Sequence, residues 1–378
     1  MQKVTGKPQI LKKFNSSMIE QTIYEHGPLS KPELVKLTSL SLPTVGKLVN
    51  DLEKNKRLCR AGYTEKGAGR KAILYETNRN SGCLLVVYYY SGGQFRCRIV
   101  DMLNNTLYEE IFSVDTGSSE AATASTLKAI DSMMTRAPAK VKAIGVGLPG
   151  VVKPDGCLQS IPQFRCWEGF NLQRLLAARY KIAVCVENVT KLLVVGYYHT
   201  VLKDKKDNLV YIYIGNGICS GLIINKELYR GSIGSSGEIG FMISPGGRNQ
   251  PRTYSVSSGY METHLGKLVD YNRGVLRQGG TKARREEFVD IMCMIAANHV
   301  AILNPEVIVF GGPAFSDSLI DSVSRRMSRY IPAELMPQIV HDASDNTGIE
   351  GLILTCRSSI TVEMHLVQNS GQIRRRAV

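Results

Sequence analysis

The first eighty residues place short apolar stretches at helical spacing between turn-forming residues. In residues 16–25, the apolar positions Met18, Ile19, Ile23 and Tyr24 fall near one helical face, which predicts an amphipathic helix. The sequence HGPLS then ends that helix, because glycine and proline interrupt helical backbone.

A second short helix is predicted over SKPELVKLT. Ser30 is a suitable N-cap, Pro32 suits the first turn, and Glu33 stands three residues after the cap, at capping-box spacing. A third helix is predicted from Pro43 in PTVGKLVNDLEKNK, where the apolar positions share one face.

Two short helices joined by the turn SLSLP predict a helix-turn-helix. The exposed start of its second helix carries Ser41, Thr44 and Lys47, and from this position side chains reach base edges in the major groove of DNA. These three residues are therefore candidate DNA contacts.

The following segment, LCRAGYTEKGAGRKAILYET, predicts a two-stranded wing with its turn in TEKGAGRK. Arg70 and Lys71 stand beside glycines that allow close backbone approach, and we take them as candidates for a phosphate or minor-groove contact. Taken singly, each basic side chain would most often be solvated surface. The order helix, turn, helix and basic wing favours a winged helix-turn-helix.

The remaining three hundred residues repeat an α/β pattern. The stretch from GCLLVVYYY to YEEIFSV predicts a β-meander, and VKAIGVGLPGVV and IAVCVEN are apolar strands that run into loops. A second cycle contains NLVYIYIGNGICSGLIINKELYRG and NPEVIVFGG. Two comparable α/β halves predict the duplicated, two-lobed, ribonuclease H-like fold of actin and the hexokinases, which bind ligands between the lobes.

Composition excludes several classes of protein. With 378 residues, 43% hydrophobic and 21% charged, the chain can build two or three domain cores. There is no apolar run of eighteen residues and no secretion signal, so we expect a cytoplasmic protein without a membrane partner. The nine cysteines form no CxxC pair, which predicts reduced thiols.

The net charge of +14 is concentrated at the start of the chain. Residues 1–80 contain 15 Lys and Arg against 7 Asp and Glu, so they hold more than half of the excess. A basic module of this kind is typical of a surface that faces phosphates.

Over nearly its full length the sequence resembles the ROK family (repressors, open reading frames and kinases), in its branch of N-acetylglucosamine and xylose repressors. The resemblance rests on the segments quoted above and on GNGICSGLIINKELYRGSIGSSGEIGFM, in the order and spacing of the family. It implies a winged helix-turn-helix over residues 1–80 and a two-lobed, sugar-kinase-like ROK domain over residues 81–378.

The resemblance also shows which kinase groups are missing. In the turn YYSGGQF, which corresponds to the DxGGT-type ATP turn, Tyr90 stands at the acidic position and Gln94 at the threonine. Asn188 matches the family's Asn-Asp pair, but Val189 replaces the general base, whose loss costs about 10²- to 10⁴-fold in rate. We therefore expect no catalytic residues and no ATP cofactor.

The zinc ligands of the family are replaced as well. The family's GEIGH is GEIGF here, and Phe241 has no nitrogen to bind a metal. The segment TYSVSSGYME places Thr253, Ser255 and Tyr260 where the family has cysteines. Because a structural zinc site needs four nitrogen or sulfur ligands, we expect no metal.

Asn188, Glu238 and Glu262 are the polar residues that the resemblance keeps in the cleft, and they are our candidate ligand-binding residues. The alternative is a loop-capping amide and two structural carboxylates. Val189 and Phe241 make this pocket more apolar than a typical sugar site.

The sequence predicts a DNA-binding transcriptional regulator, a repressor of carbohydrate-utilisation genes, with a catalytically inactive ROK domain that senses a sugar or sugar phosphate. Expected partners are a double-stranded DNA operator and further copies in a homodimer or homotetramer, because one winged helix buries too little surface for operator-level affinity. Two alternatives remain open: an ATP-dependent sugar kinase fused to a DNA-binding module, and a ligand-independent DNA-binding factor.

Overall fold

The computed structural model describes residues 8–64, 71–90, 93–159, 161, 165–243, 259–271, 273, 275–277 and 282–360. Within these ranges, no helix is both long and apolar enough to cross a bilayer. The elements form an N-terminal unit, which we call the head, and two lobes that each contain a five-stranded sheet.

The head confirms the predicted winged helix-turn-helix. Buried apolar side chains, among them Ile23, Leu34 and Val49, form one core between its helices and its sheet. The predicted capping box is present, because Ser30 N donates to Glu33 Oε2 at 2.7 Å and Glu33 N donates to Ser30 Oγ. The elements of the head are α1 (Pro8–His26), β1 (Leu29–Ser30), α2 (Lys31–Thr38), α3 (Leu42–Lys54), β2 (Leu58–Tyr63) and β3 (Ile73–Thr77).

Two details of the head differ from the sequence prediction. The helix α1 begins at Pro8 rather than Ser16, and Lys12 in its first turns forms an ion pair with Asp51 of α3 at 2.6 Å. The wing sheet has three strands rather than two, in the order β1-β3-β2, since the two-residue strand β1 pairs with β3.

The first lobe confirms the predicted meander. Its sheet has the order β10-β7-β4-β5-β6. Strands β4, β7 and β10 are parallel to one another, and β5 is antiparallel to both of its neighbours, β4 and β6. Its elements are β4 (Cys83–Tyr89), β5 (Gln94–Asp101), β6 (Thr106–Ser113), α4 (Ser119–Arg136), β7 (Val141–Leu148), β8 (Val151–Val152), β9 (Leu158–Gln159), α5 (Leu172–Tyr180) and β10 (Ala183–Asn188).

The second lobe repeats this plan, which confirms the predicted duplication. Its sheet has the order β13-β12-β11-β16-β17, again with parallel and antiparallel strands. The remaining elements are α6 (Val189–Thr200), β11 (Leu209–Ile214), β12 (Ile218–Ile224), β13 (Glu227–Leu228), α7 (Tyr260–Leu265), β14 (Val269–Asp270), β15 (Val275–Leu276), α8 (Lys282–Leu303), β16 (Val307–Gly311), α9 (Asp317–Met327), β17 (Gln338–Asp342) and α10 (Thr347–Ser359).

The helices α6 and α10 join the two lobes. Side chains of α10 pack on β4 and β7 of the first sheet, whereas side chains of α6 pack on β11 of the second. The two helices touch through glycines: a Cβ on Gly196 would overlap the carbonyl oxygen of Thr347, and a Cβ on Gly351 would overlap that of Leu192. Their backbones are therefore in direct contact.

This contact predicts the effect of a single methyl group. Gly351→Ala should lower the free energy of unfolding by roughly 1–3 kcal/mol, because the new Cβ meets backbone that has to shift. The matched control is Gly46→Ala in α3, where nothing lies within 4 Å and alanine should be neutral or stabilise by about 0.5–1 kcal/mol. Chemical denaturation measures both, and equal stability of the two variants would contradict the contact.

Candidate functional site: the exposed start of α3 and the interlobe cleft

The start of α3 presents the residues that the sequence singled out for DNA. Ser41 caps the helix, accepting from Thr44 N, and the two hydroxyl oxygens lie 2.8 Å apart. Ser41 and Lys47 are exposed and Thr44 is half-buried. Residues three apart share one helical face, so the three side chains lie on the same surface.

The head also exposes a residue that sequence reasoning missed. Leu42, the first residue of α3, is 55% exposed, although the apolar positions further along the helix are buried. An exposed apolar side chain at this place suits a thymine methyl group. In the wing, Lys71 is exposed, Arg60 donates to Glu53 at 2.6 Å, and Arg70 lies outside the described residues.

Asn188 has a structural role at the edge of the cleft. Its Oδ1 accepts from the backbone nitrogens of Thr190 and Lys191 at 2.8 and 3.2 Å, and its Nδ2 donates to Gly150 O at 2.6 Å. The side chain thereby caps α6 and fixes the loop after β7. This matches the loop-capping alternative for Asn188.

Glu238 and Glu262 lie close enough for their charges to interact. Burial raises the pKa of Glu238, and the nearby Lys191 opposes this shift. Burial, and then the Glu238 carboxylate, raise the pKa of Glu262 to about 7. The Glu262 carboxylate also lies against Gly217 in the β11–β12 turn, where a Cβ would overlap it.

Lys191 links Asn188 to these carboxylates and is a site residue that the sequence did not reveal. It is 2% exposed, and its Nζ donates to Gly234 O at 2.7 Å. Burial lowers its pKa, while Glu187 and Glu238 act against that. One feature of the sequence could have indicated this residue: it is a single lysine inside the apolar run VTKLLVVGYY. A lysine is almost never fully buried unless it is paired.

Beside this cluster a cleft of about 360 Å³ opens along the edge of β10. Its lining includes Glu187 and Arg230, which form an ion pair at 2.8 Å, and Thr355 and Ser359 at the end of α10. The buried Glu187 also accepts from Asn188 N at 3.0 Å. The cleft therefore runs from Gly234, which accepts from Lys191, to the end of α10.

Val189 and Tyr90, two of the residues that stand in place of kinase residues, are apolar and aromatic. Val189 packs against the apolar cluster around α10. Tyr90 is half-buried, with its ring 5.3 Å from that of Tyr88 and 5.2 Å from the guanidinium of Arg96. Neither Val189 nor Tyr90 supplies a carboxylate for proton transfer or for a magnesium ion.

The described residues contain no group of three or more His, Cys, Asp and Glu side chains arranged to hold a metal ion. Thr253 and Ser255 lie outside these residues, so the expected absence of zinc stays a prediction. Tyr260, which replaces the third cysteine, begins α7.

A family model confirms the resemblance. Residues 91–264 match the model described as the ROK family. The chain carries a ROK family domain. Its predicted starting point, residue 81, is not tested by this match.

Three relatives of known name align with 63–78% of this chain. A putative xylose repressor from Caldicellulosiruptor sp. (strain Rt8B.4) is 27% identical over 63% of this chain, and the alignment spans 60% of that relative's length. The xylose repressor of Bacillus subtilis (strain 168) is 25% identical over 78% of this chain and 75% of its own. The DNA-binding transcriptional dual regulator NagC of Escherichia coli (strain K12) is 26% identical over 72% of this chain and 68% of its own length.

Solved structures show the same fold. A ROK family transcriptional regulator, a homologue of the E. coli MLC protein, superposes with a TM-score of 0.71 and 17% identity, over 95% of this chain and 98% of its own. The ROK hexokinase of Thermus thermophilus superposes with a TM-score of 0.59 and 18% identity, over 74% of this chain and 99% of its own. The regulator thus matches the head as well as the lobes, whereas the hexokinase matches about three quarters of the chain.

The buried carboxylates predict how stability depends on pH. The folded-state pKa of Glu262, about 7, lies above the ordinary value of 4.5. Its contribution to stability is therefore fully present below about pH 4.5 and is lost as the pH rises through 7, by at most roughly 3 kcal/mol. Glu262→Gln should flatten the decline of Tm between pH 5.5 and 8.5 without abolishing it, since the pKa of Glu20 is also raised to about 7.

The control for this experiment is Glu334→Gln, which removes an exposed carboxylate from the second lobe. Thermal unfolding of the three proteins across the pH series is the measurement. A decline in Glu262→Gln as steep as in the wild type would show that this carboxyl ionises normally.

Proposed function

We propose that this chain is a sequence-specific DNA-binding transcriptional regulator, a repressor of carbohydrate-related genes, whose ROK domain binds a sugar derivative without phosphorylating it. The observation that carries the proposal is the head itself: a winged helix-turn-helix in which the start of α3 and Lys47 are exposed, fused to the ROK lobes. Three relatives that share the domain are named as repressors or as a transcriptional regulator.

The polar cluster supports a hydroxylated ligand of low charge. Carboxylate oxygens of Glu238 and Glu262 accept hydrogen bonds from sugar hydroxyls, and the ammonium of Lys191 donates one. Two buried carboxylates beside one lysine make a poor site for a phosphate dianion, because like charges in a buried place repel strongly. We therefore favour a neutral sugar over a sugar phosphate as the effector.

The heads act in pairs in this proposal. A homodimer or homotetramer places two α3 helices in successive major grooves, which multiplies the affinity of one short helix. Such a regulator works in the cytoplasm, where bacterial relatives of this kind meet their DNA.

DNA binding is tested by charge removal from the head. The double variant Lys47→Ala, Arg70→Ala should bind a duplex, selected from a randomised library with the wild-type protein, more weakly. The slope of log Kd against log salt should fall by about 2, one for each lost phosphate contact. Fluorescence anisotropy at several salt concentrations gives both quantities.

The matched control removes the same charge far from the head. Lys128→Ala, Arg174→Ala changes one exposed lysine and one exposed arginine on α4 and α5. It should keep the wild-type affinity and slope. If both double variants behave alike, the DNA surface lies elsewhere, and a wild-type protein that selects no duplex would refute the proposed function.

The absence of kinase activity is tested by nucleotide turnover. With Val189 at the position of the general base and Tyr90 in the ATP turn, we expect no sugar-dependent ATP hydrolysis or phosphorylation above background. The assay covers D-glucose, D-xylose, N-acetylglucosamine and N-acetylmannosamine, with a ROK hexokinase as the active control. Turnover with any of these sugars would favour the fused sugar kinase instead.

A further inference from the structure

Three separate parts of the chain meet at the turn between β5 and β6, residues 101–105. The head reaches it through Tyr24 of α1, the linker after the head reaches it through Arg79, and the last turn of α10 reaches it through Arg357. This turn is the place where the head is attached to the first lobe.

The central contact is a compact set of three side chains, Tyr24, Asn104 and Arg357, which we call the joint. The guanidinium carbon of Arg357 lies 4.1 Å from the centre of the Tyr24 ring. Its Nη2 donates to Met102 O at 2.6 Å and to Asn104 Oδ1 at 2.7 Å, and Asn104 Nδ2 donates to Tyr24 Oη at 2.7 Å. Each member contacts the other two.

The turn that carries Asn104 is itself held in one conformation. Asn104 has a positive φ of 66°, and the buried Asp101 accepts from the backbone nitrogens of Leu103 and Asn105 at 2.8 and 3.0 Å. Asp101 also accepts from Arg79 Nε at 3.0 Å, so the linker is fastened to the same turn. The joint therefore has little freedom to move except with α10.

The opposite part of α10 is connected to the interlobe site. Its backbone touches α6 at Gly196 and Gly351, and α6 starts at Asn188 and carries Lys191. Thr355, one turn after Gly351, lines the cleft beside Glu187. The helix α10 thus contacts α6, which carries Lys191, and reaches the joint with its last turn.

We propose that α10 couples the interlobe site to the head, and that the Tyr24–Asn104–Arg357 joint is the contact through which a movement of the lobes reaches α1. This inference rests on the proposed function, because it names the route by which a bound sugar changes DNA binding. A movement of α6 and α10 displaces Arg357, and α1 follows because Tyr24 is held to it. Packing of α1 against α3 in the head core then changes the placement of α3 on DNA.

The first arm of the test needs neither sugar nor DNA. Hydrogen exchange of the full chain is followed by mass spectrometry in Arg357→Met and in Tyr24→Phe, which keeps the ring and loses the hydrogen bond. Arg357→Met should speed exchange of α1 by tenfold or more, and Tyr24→Phe should speed exchange of the last turns of α10 by a smaller factor. Strands β7 and β16 should keep their protection, which shows that the lobes stay folded.

Matched controls remove an arginine and a tyrosine hydroxyl elsewhere. Arg284→Met changes an exposed arginine at the start of α8, and Tyr330→Phe changes a tyrosine in the second lobe that is 67% exposed. Neither should alter exchange in α1 or α10. If α1 of Arg357→Met exchanges as slowly as in the wild type, the joint does not hold the head and the proposal is overturned.

The second arm measures coupling. Kd for the selected duplex is determined without sugar and with saturating D-xylose or N-acetylglucosamine, whichever raises the wild-type Tm more. The wild-type Kd should rise fivefold or more when the sugar is added. The Kd of Arg357→Met and of Tyr24→Phe should change less than twofold, although the sugar still raises the Tm of both variants. If the sugar raises the Kd of both variants as much as that of the wild type, only the coupling through the joint is overturned. If neither sugar changes the wild-type Kd, the sensing part of the proposed function is contradicted as well.

Discussion

The direct backbone contact between α6 and α10 is the constraint on which the rest of the structure depends. Glycine at positions 196 and 351 removes the side chains that would otherwise separate the two helices. The helix α10 packs on the first sheet and α6 packs mainly on the second, so this contact lies between the two lobes. Because α6 begins at the polar cluster and α10 ends at the attachment of the head, the same contact fixes both ends of the molecule relative to one another.

The polar cluster is the second feature that needs a physical reason. Burying Lys191, Glu238 and Glu262 costs free energy, and the raised carboxyl pKa values and the lowered lysine pKa are expressions of that cost. Groups whose pKa values are shifted by burial and by a charged partner are candidates for a functional site. Val189 places no carboxylate beside Asn188, and the cluster is the candidate binding site of the proposed function.

Local sequence patterns predicted most of the fold. The capping box at Ser30 and the apolar face of α3 depend on residues within four positions of each other, and both are present. The two-residue strand β1 escaped prediction because so short a strand has no period of its own. The prediction also began α1 eight residues too late, although Ile10, Leu11 and Phe14 stand at helical spacing ahead of Ser16.

The site was predicted less completely than the fold. The family resemblance selected Asn188, Glu238 and Glu262, and the structure brings the two carboxylates together but uses most of the Asn188 amide to cap α6. The joint could not be found from the sequence, because its members are remote: Tyr24 and Asn104 are 80 positions apart, and Arg357 and Asn104 are 253 apart. No periodicity reports contacts of that range.

Mapping the chromosomal sites that the protein binds is the most direct test of whether it is a sugar-sensing regulator. The protein is crosslinked to DNA in cells grown with and without the sugar that stabilises it, and the bound DNA is sequenced. A regulator that senses sugar through an inactive ROK domain should occupy a few promoter sites beside carbohydrate-related genes and leave them when the sugar is present. Uniform occupancy, or discrete sites that ignore every sugar that binds, would contradict the account.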